Sequence, residues 1–328
     1  MLTRTTYLRI VQLTTIMVFV LIVLGAWVRL SDAGLGCPDW PGCYGHVTWP
    51  TADDDVAAAN TAFPSMPVDG SKAMKEMVHR YVAGPVGILI VILAVLAWRR
   101  RKHDPEQPVW IPTLLVPVVG AQALLGMLTV TLLVKPAIVT LHLAGGLSTF
   151  ALLVWLWASM RHRPAKTLSS GSRRWLWLGA LVLVVQILLG GWTSTNYAAL
   201  ACPDFPTCYQ QWWPETDFGE AFVLWREVGV NYEGGVLDQA ARTAIHLSHR
   251  IGAILALVVL GLLSLRLWRR ERAGFEASVL AVLLFTQLTL GVLNVVLHLP
   301  LHNAVAHNGG AALLLGWLVF LFHRFRQP

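Results

Sequence analysis

Cys37-Pro38-Asp39-Trp40-Pro41-Gly42-Cys43-Tyr44 returns later in the chain as Cys202-Pro203-Asp204-Phe205-Pro206-Thr207-Cys208-Tyr209. Working outward from this pair of loops, His79-Arg80 recurs as His249-Arg250. Gln122 to Gly126 is echoed by Gln287 to Gly291, and His142 with Gly145-Gly146 is echoed by His307 with Gly309-Gly310. All four landmarks keep the same order. Chance likeness between apolar segments does not preserve order, so the chain is one unit written twice.

The composition places both units in a membrane. Hydrophobic residues make up 55% of the chain, charged residues 13%, and the mean hydropathy is +0.58. A water-soluble domain carries about a quarter charged residues. The apolar residues fall into blocks near 8–30, 78–98, 110–133, 137–160, 174–194, 241–268, 275–298 and 303–323. Each block is long enough for a helix to cross roughly 30 Å of hydrocarbon, with its backbone hydrogen bonds satisfied internally. The expected fold is all-α and integral to the membrane, with eight transmembrane helices in two tandem pseudo-symmetric four-helix bundles. The first, residues 1–165, carries an outer loop at 31–77; the second, residues 166–328, carries one at 195–240. An even number of spans per unit gives both the same orientation.

Charge sets the sidedness. The N-terminus, 99–109, 161–174, 266–276 and the C-terminus together hold 17 of the 25 Lys and Arg but 4 of the 18 acids. The opposite side and the helix ends keep the other 8 basic and 14 acidic residues. Arg-rich short loops are retained inside, so both termini are expected in the cytoplasm of a multi-pass inner-membrane protein. The net charge of +7 is thereby explained without nucleic acid. The first span is not read as a cleaved signal: its apolar run is too long, and Arg29 stands where a small-residue cleavage site would.

All 4 cysteines lie in the two outer loops, two to a loop. Their spacing is not C-x-x-C, which argues against zinc or a thioredoxin-like motif, and outside the cytoplasm disulfides persist. We expect Cys37–Cys43 and Cys202–Cys208 to close small rings that staple the loops; a redox-active pair is the rival reading.

Of the 11 histidines, His46, His103, His162 and His323 sit in loops or at cytoplasmic ends, where a solvated or interfacial role suffices. His79, His142, His246, His249, His298, His302 and His307 map to the outer ends of spans. An ionisable residue in a membrane helix is by default a functional candidate. Each unit contributes one histidine from its second helix and one from its fourth at similar depth. Paired neutral imidazoles facing a bundle interior are good axial ligands for haem iron, and Gly84, Gly87, Gly145, Gly146, Gly252, Gly309 and Gly310 would leave room for a flat macrocycle. A non-haem metal would call for carboxylates or clustered histidines, and structural packing would need no pairing.

The units differ at telling positions. Three residues before the Arg-linked histidine stands Glu76 in the first and His246 in the second, on the same helix face as His79 and His249. Arg29 has no basic counterpart in the fifth span. Arg29, Arg80 and Arg250 are candidates for haem propionates, because guanidinium suits carboxylate recognition; headgroup anchoring is the alternative.

The run from Val28-Arg29-Leu30-Ser31-Asp32 through Gly36-Cys37-Pro38-Asp39-Trp40-Pro41, followed by Glu76-Met77-Val78-His79-Arg80, His249-Arg250 and His307, resembles the haem A synthase family over nearly the whole chain. The resemblance implies a membrane oxidoreductase that oxidises the C8 methyl of haem O to a formyl group, giving haem A for terminal oxidases. It implies that His79 and His142 bracket haem O in the first bundle, that Glu76 assists proton removal, and that His249 and His307 ligate haem b in the second. His246 stands as a second candidate ligand, though the duplicated register favours His249. Two cysteine pairs, rather than one or none, depart from the simplest family pattern. Pathway chemistry adds the enzyme that forms haem O, a quinone as electron acceptor and a homo-oligomer as candidate partners. Two functions compete: a di-haem electron-transfer protein of the quinol or ferric reductase kind, and a parallel-repeat transporter.

Overall fold

The computed structural model describes residues 3–161 and 166–326, so His162 and the boundary between the units lie outside the described residues. Ten helices run in order: α1 (Arg4–Leu30), α2 (Asp53–Ala62), α3 (Gly70–Arg101), α4 (Trp110–Thr131), α5 (Pro136–Ser159), α6 (Ser170–Thr195), α7 (Phe218–Ala221), α8 (Gln239–Arg269), α9 (Gly274–Val296) and α10 (Leu301–Arg324). Of the helices among the described residues, eight are long and apolar enough to cross a membrane; α2 and α7 lie in the long loops at 31–69 and 196–238. Among the described residues there are no strands, only isolated bridges at Cys43–His46 and Cys208–Gln211.

Each long helix matches an expected span, with one informative exception. The second was expected from residue 78, but α3 begins at Gly70, where the Asp69 side chain accepts from the Ser71 and Lys72 N–H groups. Its first turns carry Lys72, Lys75 and Glu76, which depress the local hydropathy and hide the start. An N-cap aspartate satisfies donors that would otherwise be orphaned. The earlier start places Glu76 and His79 inside a helix rather than at its fraying end. Asp238 caps α8 in the same manner, accepting from Ala241 N–H.

Helices α1, α3, α4 and α5 close one ring of neighbours and α6, α8, α9 and α10 close another; α1, α5, α6 and α10 form the seam. The short outer turns copy each other, with Leu133, Val134, His298 and Leu299 all at positive φ. The two largest cores occupy the half of each ring nearest the chain termini. Tyr7, Ile90, Leu93, Leu115, Leu153 and Leu156 fill the first. Leu176, Leu260, Leu263, Leu280, Leu314 and Leu318 fill the second. Close-packed apolar cores of this kind leave few voids, so any cofactor must sit in the other half, where the histidines are. The outward faces stay apolar: Ile16, Ile88, Leu181, Ile254 and Phe275 are all exposed, as lipid contact requires.

The loop at 195–240 reaches across to the first ring. Tyr232 N–H donates to the Leu133 carbonyl at 3.1 Å, Glu233 pairs with Lys72 at 2.9 Å, and the Trp225 ring covers Lys135. Tyr232 also packs with Leu35 and Val134. Other apolar residues of this loop, Ala198, Ala201, Ala221 and Leu237, pack within their own unit against Trp192 and Ile245.

Candidate functional site

Four histidines meet four glycines. A Cβ built at Gly25 on α1 would lie 3.0 Å from His79 Cε1, and one at Gly126 on α4 would lie 3.5 Å from His142 Cε1. The second unit repeats this: Gly190 on α6 faces His249 and Gly291 on α9 faces His307, each at 3.1 Å. Each imidazole lies against a neighbouring helix; the approach is tight at Gly25, Gly190 and Gly291 and an ordinary contact at Gly126. These four glycines escaped the sequence reading, which looked beside the histidines on the same helix rather than across from them.

Several of the glycines expected to make room for a macrocycle serve another purpose. Gly145, Gly252 and Gly310 receive the side chains of Gln122, Gln186 and Gln287. Gln186 donates to the His249 carbonyl at 3.0 Å and lies 3.1 Å from its Nδ1. Gln287 donates to the His307 carbonyl at 3.0 Å. Gly309 packs on Val23 and Phe19, whereas Gly84 faces open space.

His249 and His307 face each other, with ring centroids 6.5 Å apart and planes at 84°. With a metal–imidazole bond of about 2 Å on each side, two axial rings stand with centres roughly 6 Å apart. The observed separation of the two rings is close to that distance. In the first bundle, His79 and His142 come from the corresponding helices. The Nδ1 atoms of His79, His142 and His307 are buried without a hydrogen-bond partner, as expected of a site whose guest supplies the remaining interactions. No group of three or more His, Cys, Asp or Glu able to hold a metal ion occurs among the described residues. The donors come in pairs, the number that haem asks of a protein.

His246 is placed differently. Its Nδ1 lies 3.3 Å from the Cys202 N–H and its Nε2 accepts from Arg250 Nε at 3.1 Å. A neutral imidazole accepts at only one nitrogen, so these two donors compete for it. In the first unit Glu76 stands in the same place and serves both donors: its carboxylate accepts from Cys37 N–H at 3.0 Å and pairs with Arg80. Glu76 is buried. His298 and His302 are exposed on the outer turn, outside either ring. His323, expected in a solvated or interfacial role, is buried edge-on against Trp155 with centroids 5.5 Å apart.

The three arginines are engaged by protein. Arg80 donates to the carbonyls of Asp39, Pro41 and Gly42. Arg250 donates to those of Cys202, Asp204 and Thr207. Arg29 donates to Ser194 O at 2.7 Å and to the Tyr197 hydroxyl at 3.0 Å, tying α1 to the second unit. Arg80 and Arg250 thus fasten each disulfide ring onto the helix that carries the first histidine of its pair. The rings are closed as expected, Cys37–Cys43 and Cys202–Cys208, and no described cysteine is free. Inside them, Asp39 accepts from Tyr44 and Gly45 N–H, and Asp204 from Tyr209 and Gln210 N–H. The Thr207 hydroxyl, followed by those two amides, holds the Asp204 carboxyl below the ordinary carboxylate range.

The family model described as cytochrome oxidase assembly protein (COX15-CtaA) matches residues 8–319. A haem A synthase of Shewanella oneidensis is 42% identical over 324 residues, 96% of each chain. The haem A synthases of Shouchella clausii and Caulobacter vibrioides are each 28% identical, covering 84% and 95% of this chain and 82% and 94% of their own. With the match extending over both units and both histidine pairs, this chain belongs to the haem A synthase family of cytochrome oxidase assembly proteins.

Proposed function

We propose that this multi-pass bacterial membrane protein converts haem O to haem A, with haem O held in the first bundle between His79 and His142. The resident haem, a haem b, belongs in the second bundle between His249 and His307. When bound it supplies reversible one-electron chemistry. The change from methyl to formyl removes four electrons and four protons and adds one oxygen atom from a water-level donor. The first bundle therefore needs a proton acceptor near the substrate edge, and the second does not.

One observation carries this division. At the same position of the duplicated frame, the first unit has the buried carboxylate of Glu76, one turn before His79, and the second has His246. The Cys37 N–H and Arg80 fix the carboxylate in place, so that it can take a proton without a change of rotamer. Arg80 in turn anchors the Cys37–Cys43 ring over this end of the helix. A di-haem electron-transfer protein would have no use for that asymmetry.

The positive-inside distribution supports cytoplasmic termini in the inner membrane, with the disulfide loops on the oxidising side. Electrons leave to an acceptor for which a membrane quinone is the candidate; haem O synthase and a second copy of the chain are candidate partners. The test is co-expression with a haem O-producing enzyme in a host lacking haem A, followed by haem extraction. Haem A should form, and Glu76→Ala or His79→Ala should abolish it while haem b stays bound. Recovery of only haems B and O from well-folded, loaded protein would favour electron transfer instead.

A further inference from the structure

The three arginines that sequence offered to haem carboxylates are occupied, but one buried cation is not. Lys135 is 1% exposed, and among the described residues its ammonium has neither a hydrogen-bond acceptor nor an acidic partner. Its one charge contact is the face of Trp225, 3.7 Å from the ring centroid, brought over by the loop of the second unit. A buried, unpaired ammonium is costly, and an aromatic face offsets only part of that cost. The ammonium lacks a counter-anion within the described residues.

Lys135 is also the N-cap of α5, whose first turn has no side-chain cap. The free N–H groups and dipole of a helix start add to the attraction for an anion. His142 lies seven residues further along, two turns and about 10 Å down the same face. The carboxylates of a haem leave one edge of the macrocycle. A haem held at His142 with that edge toward the outer turn presents a carboxylate at the level of Lys135. The matching position of the second unit is Pro300, the N-cap of α10, so the ammonium belongs to the first bundle alone.

We propose that Lys135, with the start of α5, is the receptor for one propionate of the substrate haem, and that Trp225 closes over the pair. This rests on haem O lying in the first bundle. It adds a feature by which that bundle tells its guest from the resident haem: an ionic contact that the second bundle cannot make.

The test titrates the purified protein, its resident haem already bound, in nanodiscs of zwitterionic lipid. The probes are haem O and haem O dimethyl ester, followed by their absorbance change. Wild type should bind the free acid about tenfold or more tightly than the diester, as expected for a desolvated charge pair. Lys135→Met should bind both alike, at the level of the diester, with resident haem retained. Lys135→Arg should restore most of the preference. An unchanged acid-to-ester ratio in Lys135→Met would overturn the proposal, and would do so in favour of a lipid headgroup if that variant also lost binding to phosphatidylglycerol. Should Lys135→Met fail to fold, a wild type that does not distinguish acid from diester overturns it equally. If haem O binding to wild type is unaffected by His79→Ala, the placement of substrate in the first bundle fails instead, which is a different outcome from binding without discrimination.

Discussion

The imidazoles of His249 and His307 stand across the second bundle with ring centroids 6.5 Å apart, each backed by a glycine and each with a glutamine donating to its backbone carbonyl. On the proposed assignment this arrangement is a socket formed before its guest arrives. Each glutamine fixes the turn from which a ligand springs, and partners of this kind tune a bound metal strongly. Gln186→Leu should leave the fold intact and shift the spectrum and midpoint potential of the bound haem. Spectroelectrochemistry on the purified variant reads this directly, and an unaltered potential would reduce Gln186 to packing.

A methyl group at Gly25 or Gly190 should displace the facing imidazole, for the same reason in both bundles. In Gly25→Ala the new Cβ would sit 3.0 Å from His79 Cε1 and push the ring off its line. Haem A formation should fall by about tenfold or more, since roughly an ångström of misplacement can cost that much. Gly84→Ala, whose Cβ meets open space, should be close to neutral. Single-turnover assays on the two variants separate these outcomes.

Glu76 combines a structural with a chemical role, and two substitutions divide them. Glu76→Ala leaves the Cys37 N–H unsatisfied in a buried place, a loss of about 2 kcal/mol. Arg80 keeps its three carbonyl acceptors, so the loss should stay well short of unfolding. Glu76→Gln retains an oxygen for Cys37 but turns an amide donor toward Arg80, so it should melt below wild type while still folding, yet make no haem A. Thermal melts beside haem extraction test both statements; an active Glu76→Gln would remove the proton-accepting role.

Each disulfide closes a ring with a sequence separation of 6, worth about 2 kcal/mol by loop entropy. Equal stability does not mean equal effect on function. Cys37→Ser/Cys43→Ser loosens the loop whose N–H and carbonyls hold Glu76 and Arg80, so it should slow haem A formation. Cys202→Ser/Cys208→Ser should chiefly lower retention of the resident haem. Paired turnover and haem-content measurements distinguish the two loops.

Acid should open the second loop through Asp204. Its carboxyl is held below its ordinary value of 3.8 by Thr207 and two amides. The ordering it provides is therefore complete above that value and is lost as pH falls through the lower, folded one. Asp204→Asn at neutral pH should show the same protease sensitivity around residue 204 as acidified wild type. Indifference of the cleavage pattern to both changes would contradict this.

Much of the architecture was legible because lipid leaves so few options. Eight apolar blocks became eight helices, and the doubled landmarks foretold two histidine pairs at matching positions. The missed features were relationships across helices. The approach of Gly25, Gly126, Gly190 and Gly291 to histidines on other helices cannot be read from one helix alone. The start of α3 was hidden because its first turns are charged. The crossing of Trp225 and Tyr232 to the first unit carries no periodic signal, so nothing in the sequence singles out Lys135. For Arg80 and Arg250 the sequence left haem propionates and lipid headgroups as alternatives, and only the fold reveals that loop carbonyls hold them.

The most direct test of the division between bundles compares two double variants, each co-expressed with a haem O-producing enzyme and extracted for haem. His79→Ala/His142→Ala should keep haem b and make no haem A. His249→Ala/His307→Ala should lose haem b while still retaining haem O. Haem A from the first variant, or haem b lost from it and kept by the second, would contradict the assignment of substrate and resident haem.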